Sequence, residues 1–310
     1  MRIALTGRNG QVASALLALA PGEGHTIVCM ARPECNLSDP SSIAPALAAA
    51  APDIVVSAAA YTEVDRAEAE PALAHAVNAV APGILATATS TLGIPLIHLS
   101  TDYVFDGSAR RPYVEADTPN PQNVYGASKL AGEMAIAEAT DDAVILRTAW
   151  LHSPTGNNFV RTMLRLARTR SSIGVVCDQF GCPTAAEDVA AAILAIARRL
   201  LANSDTGLRG IFHMAGTGQA SWADLAVRTF ADSASLGGPW AEVQPLASAN
   251  YPTAAIRPAN AVLATAKLAL AYGIVLPDWQ TSLRRTVRSV AVSEGWRSNI
   301  LHQNVSEAVL

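Results

Sequence analysis

Cysteine is scarce in this 310-residue chain. There are four, at Cys29, Cys35, Cys177 and Cys182. They show neither a CxxC spacing nor histidines at zinc-like intervals, so the sequence predicts reduced, structural thiols and no bound metal. Charge is thin as well: 15% of residues are charged and the formal net charge is −4. A mildly acidic chain has no electrostatic footprint for nucleic acid. No apolar run reads as long and uninterrupted enough to cross a bilayer. The opening "MRIALTGRNG" is too short an apolar run for a signal peptide and leads straight into a glycine loop. The expectation is a cytoplasmic protein with no membrane or nucleic-acid partner. What is present is core material. Half of the residues are hydrophobic, enough for one large α/β domain or two unequal ones.

Short apolar runs alternate with alanine-rich helical stretches. Strands are expected at 2–6, 25–30, 53–59, 94–100 and 143–148. Helices are expected after residue 10, at 41–51 with Pro45 in the first turn, and at 67–92 with a break at Pro82. Another should carry "YGASK". The strands are continuously apolar, as when both faces of a sheet are covered. The alternation predicts a Rossmann-like, doubly wound parallel sheet in residues 1–150, completed by segments from 173–205. Residues 151–300 should supply mainly a smaller C-terminal α/β substrate domain. It would hold helices at 157–170, 187–202, 221–234 and 278–293 and strands at 173–177 and 210–216. Ser221 is a candidate N-cap. Residues 244–260 show no clear period, and the polar tail 297–310 is expected to be loose.

"GRNGQVA" (7–13) joins the first strand to the first helix. Gly7 permits the turn, and Gly10 lets backbone approach a pyrophosphate at the helix N-terminus. The third glycine of a dinucleotide-binding loop is absent, with Ala13 in its place. An acid that would bind an adenosine ribose is absent too: the second strand ends in Cys29, Met30 and Ala31, then Arg32. Arg8 and Arg32, without a nearby carboxylate, suit a 2′-phosphate. The cofactor expected is NADPH, with NADH possible.

"LSTDYVFDG" (99–107) begins at the C-terminal end of the fourth strand, the edge where open parallel sheets bind ligands. "VYGASKLAGE" (124–133) places Tyr125 and Lys129 one helical turn apart. Taken alone, that pair is a lysine stem packed over a tyrosine. Beside a nicotinamide it becomes a proton-delivery unit, with Lys129 lowering the Tyr125 pKa and holding the ribose. Thr101 would polarise a carbonyl.

The motifs "GRNGQV", "AAAYTEVDRAEAEP", "STDYVFDG", "YGASKLAGE", "RTAWL", "NNFVRTML", "DQFGCPT" and "RPANAVL" occur in that order between residues 1 and 290. In this the chain resembles the extended short-chain dehydrogenase/reductases, and within them the dTDP-4-dehydrorhamnose reductases. The resemblance implies Thr101, Tyr125 and Lys129 as the catalytic set. It puts Gly10, Gln11 and Val12 at the pyrophosphate, Asn36 and Leu37 on the adenine side, and Ala60, Tyr61 and Thr62 in the third strand-end loop. Tyr103 and Trp150, with Thr101 and Asp102, fall at a dTDP-sugar substrate. Some relatives dimerise around Mg²⁺ held by glutamates, one of them in the first helix. Here Ala15 stands in that stretch and Glu187 alone makes no magnesium site, so a metal-bridged dimer is not expected. Monomer and homodimer both stay open. The implied reaction is NAD(P)H-dependent reduction of the C4 ketone of dTDP-4-dehydro-L-rhamnose, for rhamnose-containing polysaccharide synthesis. Two alternatives remain: a reductase of another nucleotide-linked 4-ketosugar, or a non-catalytic regulatory subunit. The latter should have lost Tyr125 or Lys129, and both are present.

Overall fold

A computed structural model describes residues 1–296. The polar tail 297–310 lies outside the described residues. The first half runs β1 (Arg2–Thr6), α1 (Gln11–Leu19), β2 (Thr26–Met30), α2 (Ile43–Ala50) and β3 (Ile54–Ser57). It continues through α3 (Val64–Ala67), α4 (Pro71–His75), α5 (Ala81–Leu92), β4 (Leu96–Thr101), α6 (Val124–Ala139) and β5 (Ala143–Thr148). The strands pair in parallel, because each is followed by a helix that returns the chain to the same edge.

The six-stranded sheet has the order β10-β5-β4-β3-β1-β2, where β10 is Gly210–His213. The sheet is therefore not completed by strands from 173–205. The strand expected there, β7 (Ser172–Val176), pairs instead with β12 (Glu242–Leu246), inside the stretch that showed no period. Pro245 and the exposed residues of β12 hide its strand character. What 173–205 gives the sheet is a helix, α8 (Ala186–Ala202). It packs with α1 on one face, around Leu5, Leu16, Val189, Ile193 and Leu146. The other face is covered by α2, α5 and α6 through Ile43, Leu47, Leu85 and Ile136. Both faces are dry, which explains the continuously apolar strands.

Pro82 does not break its helix. A π-helical turn at 76–80 precedes it, and Pro82 falls in the first turn of α5, where a missing N–H costs little. Residues Pro71–Leu92 thereby form one helical stretch that is long and apolar enough, by length and composition, to cross a membrane. This corrects the expectation that no such run exists. Its apolar side is spent on the core: Ala74, Ala81, Leu85 and Ala86 are fully buried.

The remaining elements include β6 (Leu151–His152), α7 (Phe159–Leu166), β8 (Phe180–Gly181), β9 (Thr184–Ala185), β11 (Ala220–Ser221) and α9 (Trp222–Ser235). They end with α10 (Ala266–Tyr272) and α11 (Trp279–Glu294). Ser221 caps α9 through a capping box with Asp224. Helices α7, α9 and α11 enclose their own core of Val160, Leu225, Leu283 and Val287. All four cysteines are free thiols.

Candidate active site

A cleft of about 1060 Å³ lies along the C-terminal ends of β1, β3, β4 and β5. Thr6 sets its floor: its Oγ1 accepts from the N–H groups of Ala58 and Ala59, at 2.9 and 3.0 Å. Gly7 follows with φ +85°, and a Cβ there would lie 3.1 Å from the Ala59 methyl. The positive φ demands glycine. Gly10 is the N-cap of α1, extended, with no side chain capping the helix. A Cβ on Gly10 would meet nothing within 4 Å. The first-turn N–H groups of α1 are thus left for an anion at the cleft lip. Gln11 Oε1 is buried without a partner among the described residues. Ala13 is buried against the sheet, as a small residue must be. Arg8 and Arg32 are exposed on the cleft rim and join no ion pair among the described residues. Asn36 and Leu37 line the same end. The residues fit an NADP-like dinucleotide.

On the far wall, Tyr61 is fixed by Asn78 from the π-helical turn. Its N–H donates to Asn78 Oδ1 at 2.8 Å, and Asn78 Nδ2 donates to its carbonyl at 3.0 Å and to Ser128 Oγ at 2.9 Å. One side chain so ties the Ala60–Thr62 loop to α6. Helix α6 is itself capped by Asn123, which accepts from the Gly126 N–H at 2.7 Å. Gly126 lets α6 lie against the 102–104 turn: a Cβ there would sit 2.2 Å from the Tyr103 carbonyl oxygen. That closeness brings the rings of Tyr103 and Tyr125 edge to face, 5.8 Å apart.

The electrostatics differ from the expectation. Burial pushes the Tyr125 phenol up, to about 12, and Lys129 plays no part in holding it down. Lys129 is 2% exposed. Its Nζ donates to the Leu99 carbonyl at 2.6 Å and meets His98 Nε2 at 3.0 Å. Burial lowers Lys129 to about 8, with the Glu133 carboxylate opposing. Burial and then the Lys129 charge hold His98 well below its ordinary value. A neutral His98 must accept at Nε2 from the ammonium, so Nδ1 carries the hydrogen and donates to Ser57 Oγ, 3.0 Å away. Two of the three ammonium hydrogens are thus committed, which leaves one for the cleft. Beneath them lies a buried fork: Arg147 Nε and Nη2 donate to Glu133 at 2.9 and 2.6 Å, and Ser100 Oγ donates to the same carboxylate.

Thr101 Oγ1 donates to Asp102 Oδ1 at 2.9 Å and accepts from the Tyr103 N–H at 3.2 Å. Trp150 lines the cleft beyond the end of β5. It holds φ +46°, a conformation strained for a bulky residue. Its indole stacks on Trp222, with ring centroids 3.5 Å apart and planes 7° from parallel. Gly181 makes room for that ring, since a Cβ there would be 2.4 Å from it.

All seventeen residues singled out in the sequence line this one cleft. Trp222 lines it too and was not singled out, because a tryptophan opening a capped helix carries no local sign of a binding role. Glu133 could have been found: it stands one turn beyond Lys129 on the same face. Asn78 and His98 have no local signal.

The family model described as RmlD substrate binding domain matches residues 1–292. The dTDP-4-dehydrorhamnose reductase of Sinorhizobium fredii is 50% identical over 93% of this chain and 97% of its own. The chain belongs to the dTDP-4-dehydrorhamnose reductase family. The Escherichia coli dTDP-4-dehydrorhamnose reductase is 39% identical over 94% of this chain and 98% of its own. Among solved structures, the Bacillus anthracis dTDP-4-dehydrorhamnose reductase, in complex with NADP, superposes with TM-score 0.85 at 34% identity, covering 92% of this chain and 98% of that one. A Thermus thermophilus UDP-glucose 4-epimerase shares the fold, with TM-score 0.78 at 18% identity over 94% of this chain and 99% of that one.

Proposed function

We propose that the protein reduces the C4 ketone of dTDP-4-dehydro-L-rhamnose with NADPH, giving dTDP-L-rhamnose. The observation that carries this reading is the convergence of Thr101, Tyr125, Lys129 and the Trp150–Trp222 stack on the cleft that also holds the glycine loop. The bound nicotinamide supplies the hydride. Tyr125 gives its phenolic proton to the C4 oxygen as negative charge develops there. A phenol held up to about 12 is a firm reservoir, fully protonated until an alkoxide stronger in base than itself forms. The one uncommitted Lys129 hydrogen holds a ribose hydroxyl. Thr101 donates to the ketone oxygen. The stacked indoles offer apolar face to sugar C–H groups and orient the ketone. Gly10, Gln11 and Val12 receive the pyrophosphate, Asn36 and Leu37 the adenosine, and Arg8 and Arg32 the 2′-phosphate.

The test is to incubate the protein with NADPH and dTDP-4-dehydro-L-rhamnose, follow the loss of nicotinamide absorbance, and identify the sugar by NMR. Tyr125→Phe should lose ~10²–10⁴-fold in rate while binding NADPH normally. Near-full turnover in that variant would remove Tyr125 from the role.

A further inference from the structure

A ketone is activated by a hydrogen-bond donor, yet the only hydroxyl hydrogen of Thr101 is already given away. It points to Asp102 Oδ1 at 2.9 Å, while the Tyr103 N–H fills one of the two acceptor positions. Asp102 is 3% exposed, and its second oxygen, Oδ2, is buried with no hydrogen-bond partner among the described residues. An ionised carboxylate buried with one oxygen unpartnered is costly, and burial outweighs the Thr101 hydroxyl and the Asp102 and Tyr103 backbone N–H groups that favour the charged form. The titratable groups that feel it are Tyr103, Tyr125 and the Cys182 thiol, all uncharged, and each is pushed up. Neither nearby cation compensates: Lys129 is engaged by Leu99 and His98, and Arg257 is paired with Asp65 at 2.6 Å.

We propose that Asp102 works as a neutral carboxylic acid that donates its hydrogen to Thr101, freeing the Thr101 hydroxyl hydrogen for the substrate carbonyl. The chain is Asp102 O–H to Thr101 Oγ1, then Thr101 O–H to the ketone oxygen. No proton changes owner along it; only the direction of donation is fixed. Thr101 then accepts twice and donates once, its full capacity. When Asp102 ionises, the carboxylate takes the Thr101 hydrogen back, and the ketone loses its donor. Asp102 thus acts through Thr101 as a positioning residue. Burial lifts it to about 7, so the change falls near neutral pH.

This inference rests on the proposed ketosugar reduction. The test is the pH profile of kcat from 5.5 to 9, with NADPH affinity measured alongside. The wild type should lose activity as pH rises past about 7. Asp102→Asn keeps a permanent N–H donor toward Thr101. It should lower kcat at pH 6 about three- to tenfold, a weaker donor replacing a stronger one, and abolish the fall near pH 7. Lys129, lowered to about 8, adds a later step that wild type and variant share; a fall near pH 7 that persists in Asp102→Asn overturns the proposal. Thr101→Val supplies a second arm. Its residual activity should also lack that fall, because Asp102 has lost the group it acts through, and a retained fall overturns the proposal. Difference infrared spectra, wild type against Asp102→Asn, give a readout without turnover. They should show a protonated carboxyl band at pH 6 that fades as pH rises, and its absence overturns the proposal. A wild type that reduces no ketosugar at any pH sinks the proposed function, and the infrared band alone then decides whether Asp102 is held neutral.

Discussion

Lys129 and Arg32 are both cations on the cleft, and their surroundings give them different work. Lys129 is desolvated, held by two acceptors and lowered to about 8. Its position is fixed before any ligand arrives, and only its charge remains adjustable. Arg32 is exposed and unpaired among the described residues, so its charge is constant and its side chain is free to close on a phosphate. Replacing Arg32 by alanine should therefore act on one ligand feature only. For so exposed a side chain, loss of a charge-assisted contact costs roughly 1.5 kcal/mol, about tenfold in affinity. Parallel titrations should show NADPH binding weakened by that factor and NADH binding unchanged. A constant ratio between the two would shift the 2′-phosphate to Arg8.

Helix α6 carries Tyr125 and Lys129, and its small residues decide how closely it approaches its neighbours. Gly132 faces the π-helical turn, where a Cβ would lie 2.1 Å from the Asn78 carbonyl oxygen, a backbone atom that cannot swing aside. Gly132→Ala must separate α6 from that turn, at roughly 1–3 kcal/mol for overpacking. The Asn78 clamp on Tyr61 should loosen with it. Thermal melting should fall by several degrees and NADPH affinity should drop together; an unchanged melting point would show that the turn yields freely. At this scale the sequence was legible in part. β1, β3, β4 and β5 announce themselves because a strand covered on both faces must be apolar throughout, and the glycine loop is legible because Gly7 needs positive φ. The last strand of the sheet was not. Residues 172–176 and 210–213 are both short β-like runs, and only long-range pairing chooses β10 for the sheet and sends β7 to β12. Likewise the Tyr125–Lys129 spacing is local and readable. The burial that raises Tyr125 and turns Lys129 toward His98 comes from strands thirty residues away, so its electrostatic consequence was misjudged.

Across the whole molecule, buried histidines tie one element to another. His98 in β4 bonds Ser57, His152 in β6 meets Thr286 of α11 at 3.1 Å, and His213 in β10 meets the Tyr113 carbonyl at 3.1 Å. Each is at most 1% exposed, and burial lowers all three, His152 to about 4. Their ordinary value is 6.5. Near pH 5 the unfolded chain therefore binds three protons that the folded one does not. Asp102 works the other way: the folded state keeps its proton up to about 7, whereas the unfolded chain releases it near 3.8. Unfolding near pH 5 then takes up about two protons net. Stability should rise with pH there by roughly 2–3 kcal/mol per unit and level off as pH passes 6.5. Above that, Asp102 alone still costs stability until about 7. The acid side limits the fold and the neutral side limits the Thr101 donor, so the best working range lies between about pH 6 and 7. Urea unfolding at pH 5, 6 and 7 measures the slope. His152→Gln keeps a polar group near Thr286 without a titration, and it should flatten the slope by about one proton; an identical slope in that variant would mean that His152 stays neutral in neither state and that the acid sensitivity arises elsewhere.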